Sequence, residues 1–246
     1  MNASDKGPWF CDANAGVPAL PEVVDEFIRV EQQFPANPAS AHAAGRRARG
    51  ALEQARELIA EAMQVAREDV VFTSGGTEAG NLAIRGLGDI NLPVLMGDLE
   101  HPAVHESARQ RGTIAWDVDE SGCVVVTNPQ DPVGLVALVH AQSEVGTLQK
   151  VEEAAAVAAG CEAPVFVDAA QTLGRVPLGS VIDAGAAVAL SPHKAGGLRG
   201  NGALVGHDIH RRLRPLMYGG GQELGLRPGT PSVALAAANA MATKLA

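Results

Sequence analysis

Residues 165–194, VFVDAAQTLGRVPLGSVIDAGAAVALSPHK, contain two apolar runs that each end in polar residues. The first run, Val165–Val167, stops at Asp168, and the second, Ala186–Leu190, is followed by the tetrapeptide Ser191–Lys194. Continuous apolar runs of this length are typical of parallel strands that are buried on both faces of a sheet. Ligands of such sheets bind beyond the carboxyl ends of the strands. The stretch therefore predicts two buried parallel strands, with the acid and the lysine at the ligand-binding edge.

The rest of the chain alternates in the same way between short apolar runs and helical patterns. Apolar residues at spacings of three and four predict a long helix from Ser40, as its N-cap, to about Met63. Helices between strands imply crossover connections, so the fold class is α/β, a largely parallel open sheet with helices on both faces. The other predicted strands are Val70–Thr73, Pro93–Met96, Thr113–Val118, Leu135–His140 and Gly202–Val205, and the other predicted helices are Leu20–Gln32, Thr77–Leu87, Pro102–Arg111 and Val151–Ala159.

Composition and charge exclude several classes of protein. The 246 residues are 46% hydrophobic and 19% charged, which suits one large folded domain rather than a disordered chain. The net charge of −9 argues against a nucleic-acid or anionic-membrane surface. No stretch approaches the ~18 apolar residues of a membrane span, and Met1–Trp9 lacks the apolar core of a secretion signal. We therefore expect a cytoplasmic protein without nucleic-acid or membrane partners.

Neither the cysteines nor the histidines predict a metal site. Cys11, Cys123 and Cys161 are odd in number and have no CxxC spacing, which argues against a disulfide framework and against zinc. His101 and His105 are four residues apart, but no Glu follows His101 as in HExxH and no third ligand is in view. We expect reduced thiols and no bound metal.

Residues 73–78, TSGGTE, join a predicted strand to a predicted helix. The glycines let the backbone approach an anion, the first N–H groups of a helix are free to donate, and Thr77 adds a hydroxyl. The segment predicts a phosphate cradle, although an ordinary glycine-rich turn accounts for it equally well. It lacks the GK[ST] of a P-loop, so a nucleoside triphosphate is not the favoured ligand.

Asp168 and Lys194 add two further functional groups at strand ends. A buried carboxylate needs a cationic partner, and for Asp168 a protonated pyridine nitrogen would serve, the alternative being a cap on the next turn. Lys194 follows a buried strand, where a partly desolvated amine loses its proton and attacks an aldehyde. A phosphate cradle, an acid for a pyridine nitrogen and such a lysine are together what pyridoxal 5′-phosphate (PLP) requires of a protein.

The chain resembles the cysteine desulfurases, a group within the class V aminotransferases of PLP-dependent fold type I. The resemblance extends over nearly the whole chain, and it rests on a series of short segments in a fixed order. These are Asp12–Ala15, Asn37–His42, Thr73–Glu78 with Asn81, Glu100-His101, His140–Gly146, Asp168–Gly174, Ser191–Lys194, Gly219–Glu223 and Arg227–Thr230.

The resemblance implies a role for each matching site residue. Lys194 and His101 would be catalytic, because Lys194 would form the Schiff base with PLP and His101 would stack on the ring and transfer protons. Asn14 would lie close to the substrate. The other cofactor contacts would be Gly76, Thr77, Ser191 and His193 to the phosphate, Asp168 to the pyridine nitrogen, Gln171 to the ring hydroxyl, Ser143 at a position that contacts the cofactor, and Thr230 to the phosphate of the other subunit.

The implied reaction removes sulfur from L-cysteine and leaves L-alanine and a protein-bound sulfur. The family works as homodimers, and the sulfur would pass to an acceptor or scaffold protein, as in iron-sulfur cluster assembly. Two alternatives stay open: another class V lyase or aminotransferase, or a truncated PLP-binding subunit that is inactive alone.

The sequence departs from the family pattern at several places. The family's His-x-Asn-Asn-Glu-x-Gly segment reads HAQSEVG at residues 140–146, so Ser143 replaces an Asn that contacts the cofactor in the family. Leu224 stands where the family commonly has Arg. We divide the chain into an N-terminal arm with one helix, residues 1–40, and a PLP-binding large domain, residues 41–246. The family's smaller C-terminal domain, with its sulfur-accepting cysteine and substrate-binding arginine, has no counterpart in this chain, and Cys11 is a poor substitute for that cysteine.

Overall fold

Seven short strands form one sheet in the computed structural model, which describes residues 9–246. In chain order they are β1 (Val70–Thr73), β2 (Val94–Gly97), β3 (Thr113–Trp116), β4 (Leu135–Val139), β5 (Val165–Asp168), β6 (Ala187–Leu190) and β7 (Gly202–Val205). Their order across the sheet is β1-β7-β6-β5-β4-β2-β3. Of the seven, β7 alone runs against the others, because it pairs antiparallel with both β1 and β6. The predicted α/β class with a largely parallel sheet is confirmed.

Helices cover both faces of this sheet. The α-helices are α1 (Pro21–Gln33), α2 (Ala43–Met63), α3 (Gly76–Gly86), α4 (Pro102–Arg109), α5 (Val151–Gly160), α6 (Gly179–Asp183), α7 (Ile209–Arg212) and α8 (Val233–Leu245). Three 3₁₀ turns add Arg67–Asp69, Pro192–Lys194 and Gln222–Gly225.

Each face of the sheet packs into its own apolar cluster. Val165 and Val167 of β5 belong to one cluster with residues of α2, α5 and α8, whereas Phe166 belongs to another with residues of α3 and α4. Successive side chains of a strand point to opposite faces, so a strand with helices on both sides must be apolar throughout. This double burial explains why the strands are continuous apolar runs.

The predicted strands and helices all form, with one clear error at a helix start. Ser40 is not the N-cap of α2, because the backbone of residues 37–40 makes a turn in which the Ser40 N–H donates to the Asn37 carbonyl. The helix begins at Ala43, and the His42 ring accepts a 3.2 Å bond from the Gly45 N–H. A histidine ring is an uncommon cap, so the serine was preferred on sequence grounds.

Helices α6, α7 and α8 have no predicted counterpart. The first two are only five and four residues long, and α8 is an alanine-rich segment without a polar face. The Oγ of Ser232 accepts a 3.2 Å bond from the Leu235 N–H and caps α8, which is the sequence signal that could have found it.

No helix within residues 9–246 is both long enough and apolar enough to cross a membrane. The segment Met1–Trp9, which is expected not to be a secretion signal, lies outside the described residues except for Trp9.

Candidate active site

Predicted site residues line one cavity at the carboxyl ends of the parallel strands. Because β4, β5 and β6 are parallel neighbours, their carboxyl ends lie side by side, where open α/β sheets bind ligands. The site residues in the cavity are His101, Ser143, Asp168, Gln171 and Lys194, and Leu99, Val139, Ala141, Gln142 and Ala170 complete its lining.

Asp168 is the buried last residue of β5. Its Oδ1 accepts a 2.9 Å bond from the Ala170 N–H, so the alternative of a turn cap holds for that oxygen. No cation among residues 9–246 forms an ion pair with it. Burial raises the pKa of Asp168, and the Ala170 N–H, His101 and Lys194 offset this only in part. A cationic ligand atom in the cavity would therefore stabilise the carboxylate.

Lys194 ends the short turn that follows β6, and its backbone N–H donates to the Ser191 carbonyl at 3.0 Å. The side chain is half-buried. Burial lowers the pKa of Lys194, and the Arg175 guanidinium lowers it further, whereas Asp168 acts in the opposite direction. A lowered pKa increases the fraction of neutral amine, which is the nucleophilic form.

His101 is the N-cap of α4, and its ring orientation follows from one backbone bond. The ring Nδ1 accepts a 3.1 Å bond from the Ala103 N–H. A nitrogen that accepts cannot carry the proton, so the neutral ring has its proton on Nε2. His101 therefore presents an Nε2–H donor to the cavity, while the backbone holds Nδ1 in place.

A series of side-chain hydrogen bonds joins the loops around Lys194. The Asn14 side chain donates to the Ser143 carbonyl at 2.7 Å, and the Gln171 side chain donates to the Asn14 carbonyl at 2.9 Å. Arg175, which the sequence analysis did not single out, donates to the Gln171 Oε1 at 2.8 Å and to the Asn14 Oδ1 at 3.1 Å. Its position four residues after Gln171 in the sequence is the signal that could have found it. The network holds the predicted substrate-binding and ring-binding amides in fixed orientations.

The predicted phosphate cradle lies against the Lys194 turn. A β-carbon added to Gly76 would lie 2.3 Å from the Oγ of Ser191, so a side chain at this position would displace the Ser191 hydroxyl. No side chain caps α3, and the N–H groups of Gly76 and Thr77 donate to no acceptor among the described residues. A β-carbon on Gly202 would come within 2.7 Å of the Gly75 Cα, so β7 also needs glycine to approach the cradle.

His193 and Thr230 do not line the Lys194 cavity. His193 lies beside Lys194 in the chain, and its carbonyl accepts a 3.4 Å bond from the Val17 N–H of the N-terminal arm. Burial lowers the pKa of His193, and the neighbouring Lys194 and Arg199 lower it further. Thr230 lines a separate cavity of about 210 Å³ together with Thr73, Ser74 and Arg227.

Glu100 is a buried acid beside the cavity, and the sequence analysis gave it no role. Its Oε1 accepts a 2.7 Å bond from the Val139 N–H of β4, whereas its buried Oε2 has no hydrogen-bond partner among the described residues. Burial raises the pKa of Glu100 to about 8, with a further contribution from Asp168. Glu100 therefore holds its proton near neutral pH.

A larger cavity, of about 510 Å³, lies away from these residues, between α2 and the segment 221–231. It is lined by Leu52, Arg56, Glu223 and Leu224 among others, and it contains none of the predicted cofactor-binding residues. The cavity beyond β4, β5 and β6 is the candidate active site because Lys194 and the buried Asp168 meet there.

The family model for class-V aminotransferases matches residues 9–245, which is almost all of the described chain. The chain belongs to this family. It is 33% identical over 264 residues to an IscS-like cysteine desulfurase of Mycobacterium tuberculosis (strain ATCC 25618 / H37Rv), covering 96% of this chain and 65% of the relative. It is 36% identical over 262 residues to a cysteine desulfurase of Frankia sp. (strain EuIK1), covering 96% of this chain and 62% of the relative.

Solved structures share the fold of this chain. A structure described as SspA in complex with cysteine superposes with a TM-score of 0.87 at 30% identity, covering 94% of this chain and 71% of that one. A NifS-like protein gives a TM-score of 0.86 at 30% identity, covering 95% of this chain and 68% of that one. The chain spans between 52% and 65% of the length of the curated relatives it matches.

The other candidate groups of this class-V chain lie outside the cavity. Cys11 is exposed, Cys123 and Cys161 are partly buried, and all three thiols are free. Within residues 9–246, no group of three or more His, Cys, Asp or Glu is arranged to hold a metal ion.

Proposed function

We propose that this chain is the PLP-binding part of a cysteine desulfurase-type enzyme, which removes sulfur from L-cysteine and forms L-alanine. The observation that carries the proposal is the meeting of Lys194, with its lowered pKa, and the unpaired buried Asp168 in one cavity beside His101. The names of the class-V relatives agree with this chemistry, and one similar structure was solved in complex with cysteine.

The residues present fit PLP. The free N–H groups at the start of α3 and the Ser191 hydroxyl, which a side chain at Gly76 would displace, suit a phosphate. Asp168 suits a protonated pyridine nitrogen because no cation within residues 9–246 pairs with it. We assign the phosphate to Gly76, Thr77, Ser191 and His193, the pyridine nitrogen to Asp168, the ring hydroxyl to Gln171, a further contact to Ser143, and the partner's phosphate to Thr230.

When bound, PLP supplies an aldehyde and an electron-withdrawing ring. Lys194 would hold this group through its amine, whose neutral form is favoured because burial and Arg175 lower its pKa. Asp168 would favour a protonated ring nitrogen, because its carboxylate is a negative charge in a buried setting. His101 would present its Nε2–H to the bound substrate, and the Asn14, Gln171 and Arg175 network keeps the neighbouring amides in place.

The remaining parts of the proposal concern the whole protein. We infer a homodimer in which Thr230 serves the partner's site, transfer of the sulfur to an acceptor or scaffold protein, and a cytoplasmic location. The division into an arm, residues 1–40, and a large domain, residues 41–246, stays a prediction. The sulfur-accepting thiol is not assigned to Cys11, which does not line the cavity.

The test of the cofactor is spectroscopic. The purified chain with added PLP is expected to show a visible absorption band that Lys194→Ala abolishes and that Lys150→Ala, at an exposed lysine, leaves intact. Absence of the band in the unaltered chain would contradict PLP binding.

Assays of alanine and sulfide with L-cysteine then test the reaction, in the presence of dithiothreitol, which takes up the sulfur and reduces it to sulfide while its two thiols become a disulfide. Formation of both products in equal amounts supports the desulfurase. A visible band without these products points instead to another class V reaction or to a PLP-binding subunit that is inactive alone.

A further inference from the structure

An ion pair lies directly beside the phosphate cradle. The Arg227 Nε donates to Glu78 Oε1 at 2.8 Å, and its Nη2 donates to Glu78 Oε2 at 3.2 Å, a two-point contact between residues 149 positions apart in sequence. The same Oε2 accepts a 2.6 Å bond from the Ser74 N–H. The side chains of Glu78 and Arg227 are only 18% and 23% exposed.

The negative charge of Glu78 lies beside the N–H groups that are expected to bind the phosphate. It lies in the first turn of α3, two residues after Gly76, and its carboxylate already occupies the N–H of Ser74 in the cradle segment. A phosphate on the neighbouring free N–H groups would meet a carboxylate of like sign in a partly buried setting, where repulsion is weakly screened. Although burial raises the pKa of Glu78, the bonds from Arg227 and Ser74 outweigh it, so the carboxyl is ionised.

We propose that Arg227 is a positioning residue for charge: it neutralises Glu78 and thereby allows the cradle to bind the dianionic phosphate of the cofactor. This inference rests on the proposed function and adds to it a residue that acts through Glu78 rather than by touching the phosphate.

A purely mechanical role for the ion pair is the main alternative, because Arg227 belongs to the segment that carries Thr230. That segment has a second anchor, however. The buried Glu223 carboxylate accepts bonds from Arg56 at 2.6 and 2.7 Å and from the Phe72 N–H at 2.8 Å. Glu223 thus anchors the segment in addition to Arg227, and the charge of Arg227 is the property that the experiment has to separate from this anchoring.

The experiment compares the binding of PLP with that of pyridoxal, which lacks the phosphate, to four purified proteins. These are the unaltered chain, Arg227→Gln, Glu78→Gln and the double variant Glu78→Gln/Arg227→Gln. Dissociation constants come from fluorescence or calorimetric titration, and thermal unfolding shows that each variant is folded. Arg227→Lys, which keeps the charge, replaces Arg227→Gln as a second probe if the latter fails to fold.

We expect Arg227→Gln to weaken PLP binding about ten-fold, because it leaves the Glu78 charge uncompensated, and to leave pyridoxal binding unchanged. Glu78→Gln and the double variant should bind PLP at least as tightly as the unaltered chain, and Arg227→Lys should stay close to it. These signs are opposite to those of a mechanical role, in which either partner's loss weakens binding.

Equal weakening by Arg227→Gln, Glu78→Gln and the double variant would overturn the inference, and so would unchanged PLP binding in Arg227→Gln. If the unaltered chain itself binds no PLP, the proposed function fails first and the inference fails with it.

Discussion

At the scale of single residues, Glu100 shows how burial sets a charge beside the candidate active site. Its carboxyl accepts a hydrogen bond from the Val139 N–H at the end of β4. The pairing of β4 with β2 ends at Ala137, so this N–H has no partner in β2. The bond holds one oxygen, and burial leaves the other without a partner among the described residues. A neutral acid satisfies this environment better than an anion, which is why its pKa is raised to about 8.

The pH dependence of stability tests this assignment. The unfolded chain ionises Glu100 near its ordinary pKa of 4.5, whereas the folded chain keeps the proton until about pH 8. Folding therefore loses stability through Glu100 as the pH rises from 4.5 to 8, and the loss levels off above 8. Glu100→Gln imitates the neutral acid, so its free energy of unfolding should rise relative to the unaltered chain across this window.

Urea unfolding at several pH values measures the difference. Glu106→Gln, at an exposed acid of α4, serves as the control and should follow the unaltered chain. Parallel pH profiles for Glu100→Gln and the unaltered chain would show that Glu100 does not titrate in this window.

At the scale of elements, the buried pair of Arg56 and Glu223 joins α2, the β1 edge and the 3₁₀ turn of residues 222–225. Arg56 also donates to the Val70 carbonyl at 2.6 Å and lies 4.8 Å from the centroid of the Phe72 ring. Burial lowers the pKa of Arg56, but the contacts with Glu223 outweigh it and the pKa is raised. The turn carries Glu223 and Leu224 at positive φ, a conformation that this pair helps to hold.

Removing one partner should be much more harmful than losing an exposed pair. Arg56→Met leaves the Glu223 carboxylate buried without its cation, and we expect it to lower the free energy of unfolding by about 3–5 kcal/mol. Arg109→Met, which breaks the exposed pair with Glu106, should cost less than about 1 kcal/mol. Denaturant unfolding of both variants provides the comparison, and equal costs would contradict the structural role of the buried pair.

At the scale of the whole molecule, the N-terminal arm is packed against the last helix of the chain. Val23 of α1 is fully buried and packs with Ala238 and Ala242 of α8, whereas its neighbour Val24 is 37% exposed. Residues more than two hundred positions apart therefore share one small apolar cluster. We infer that the arm folds together with the large domain.

Val23→Asp tests this packing. It places a charge in the α1–α8 contact, and we expect a loss of about 3 kcal/mol or more of unfolding free energy, because a buried charge without a partner is costly. Val24→Asp, one residue further on the same helix, should change stability by no more than about 0.5 kcal/mol. Hydrogen exchange should show α1 and α8 losing protection together in Val23→Asp. Equal effects of the two variants would contradict the inference that the arm folds together with the large domain.

The sequence alone determined the positions of all seven strands and the order of the polar residues that follow them, because strands buried on both faces are continuous apolar runs. It also predicted which groups follow β5 and β6, since they are contiguous with those runs. It misplaced the start of α2 and did not predict α8, whose alanines show no polar face.

Only the tertiary structure decided which of these segments meet. Strand β7 lies antiparallel between β1 and β6, which sets the cradle after β1 against the turn that carries Lys194. The contacts of Arg227 with Glu78 and of Arg175 with Asn14 join residues 149 and 161 positions apart. Local patterns report the burial and backbone preference of neighbouring residues, whereas such contacts depend on the path of the whole chain.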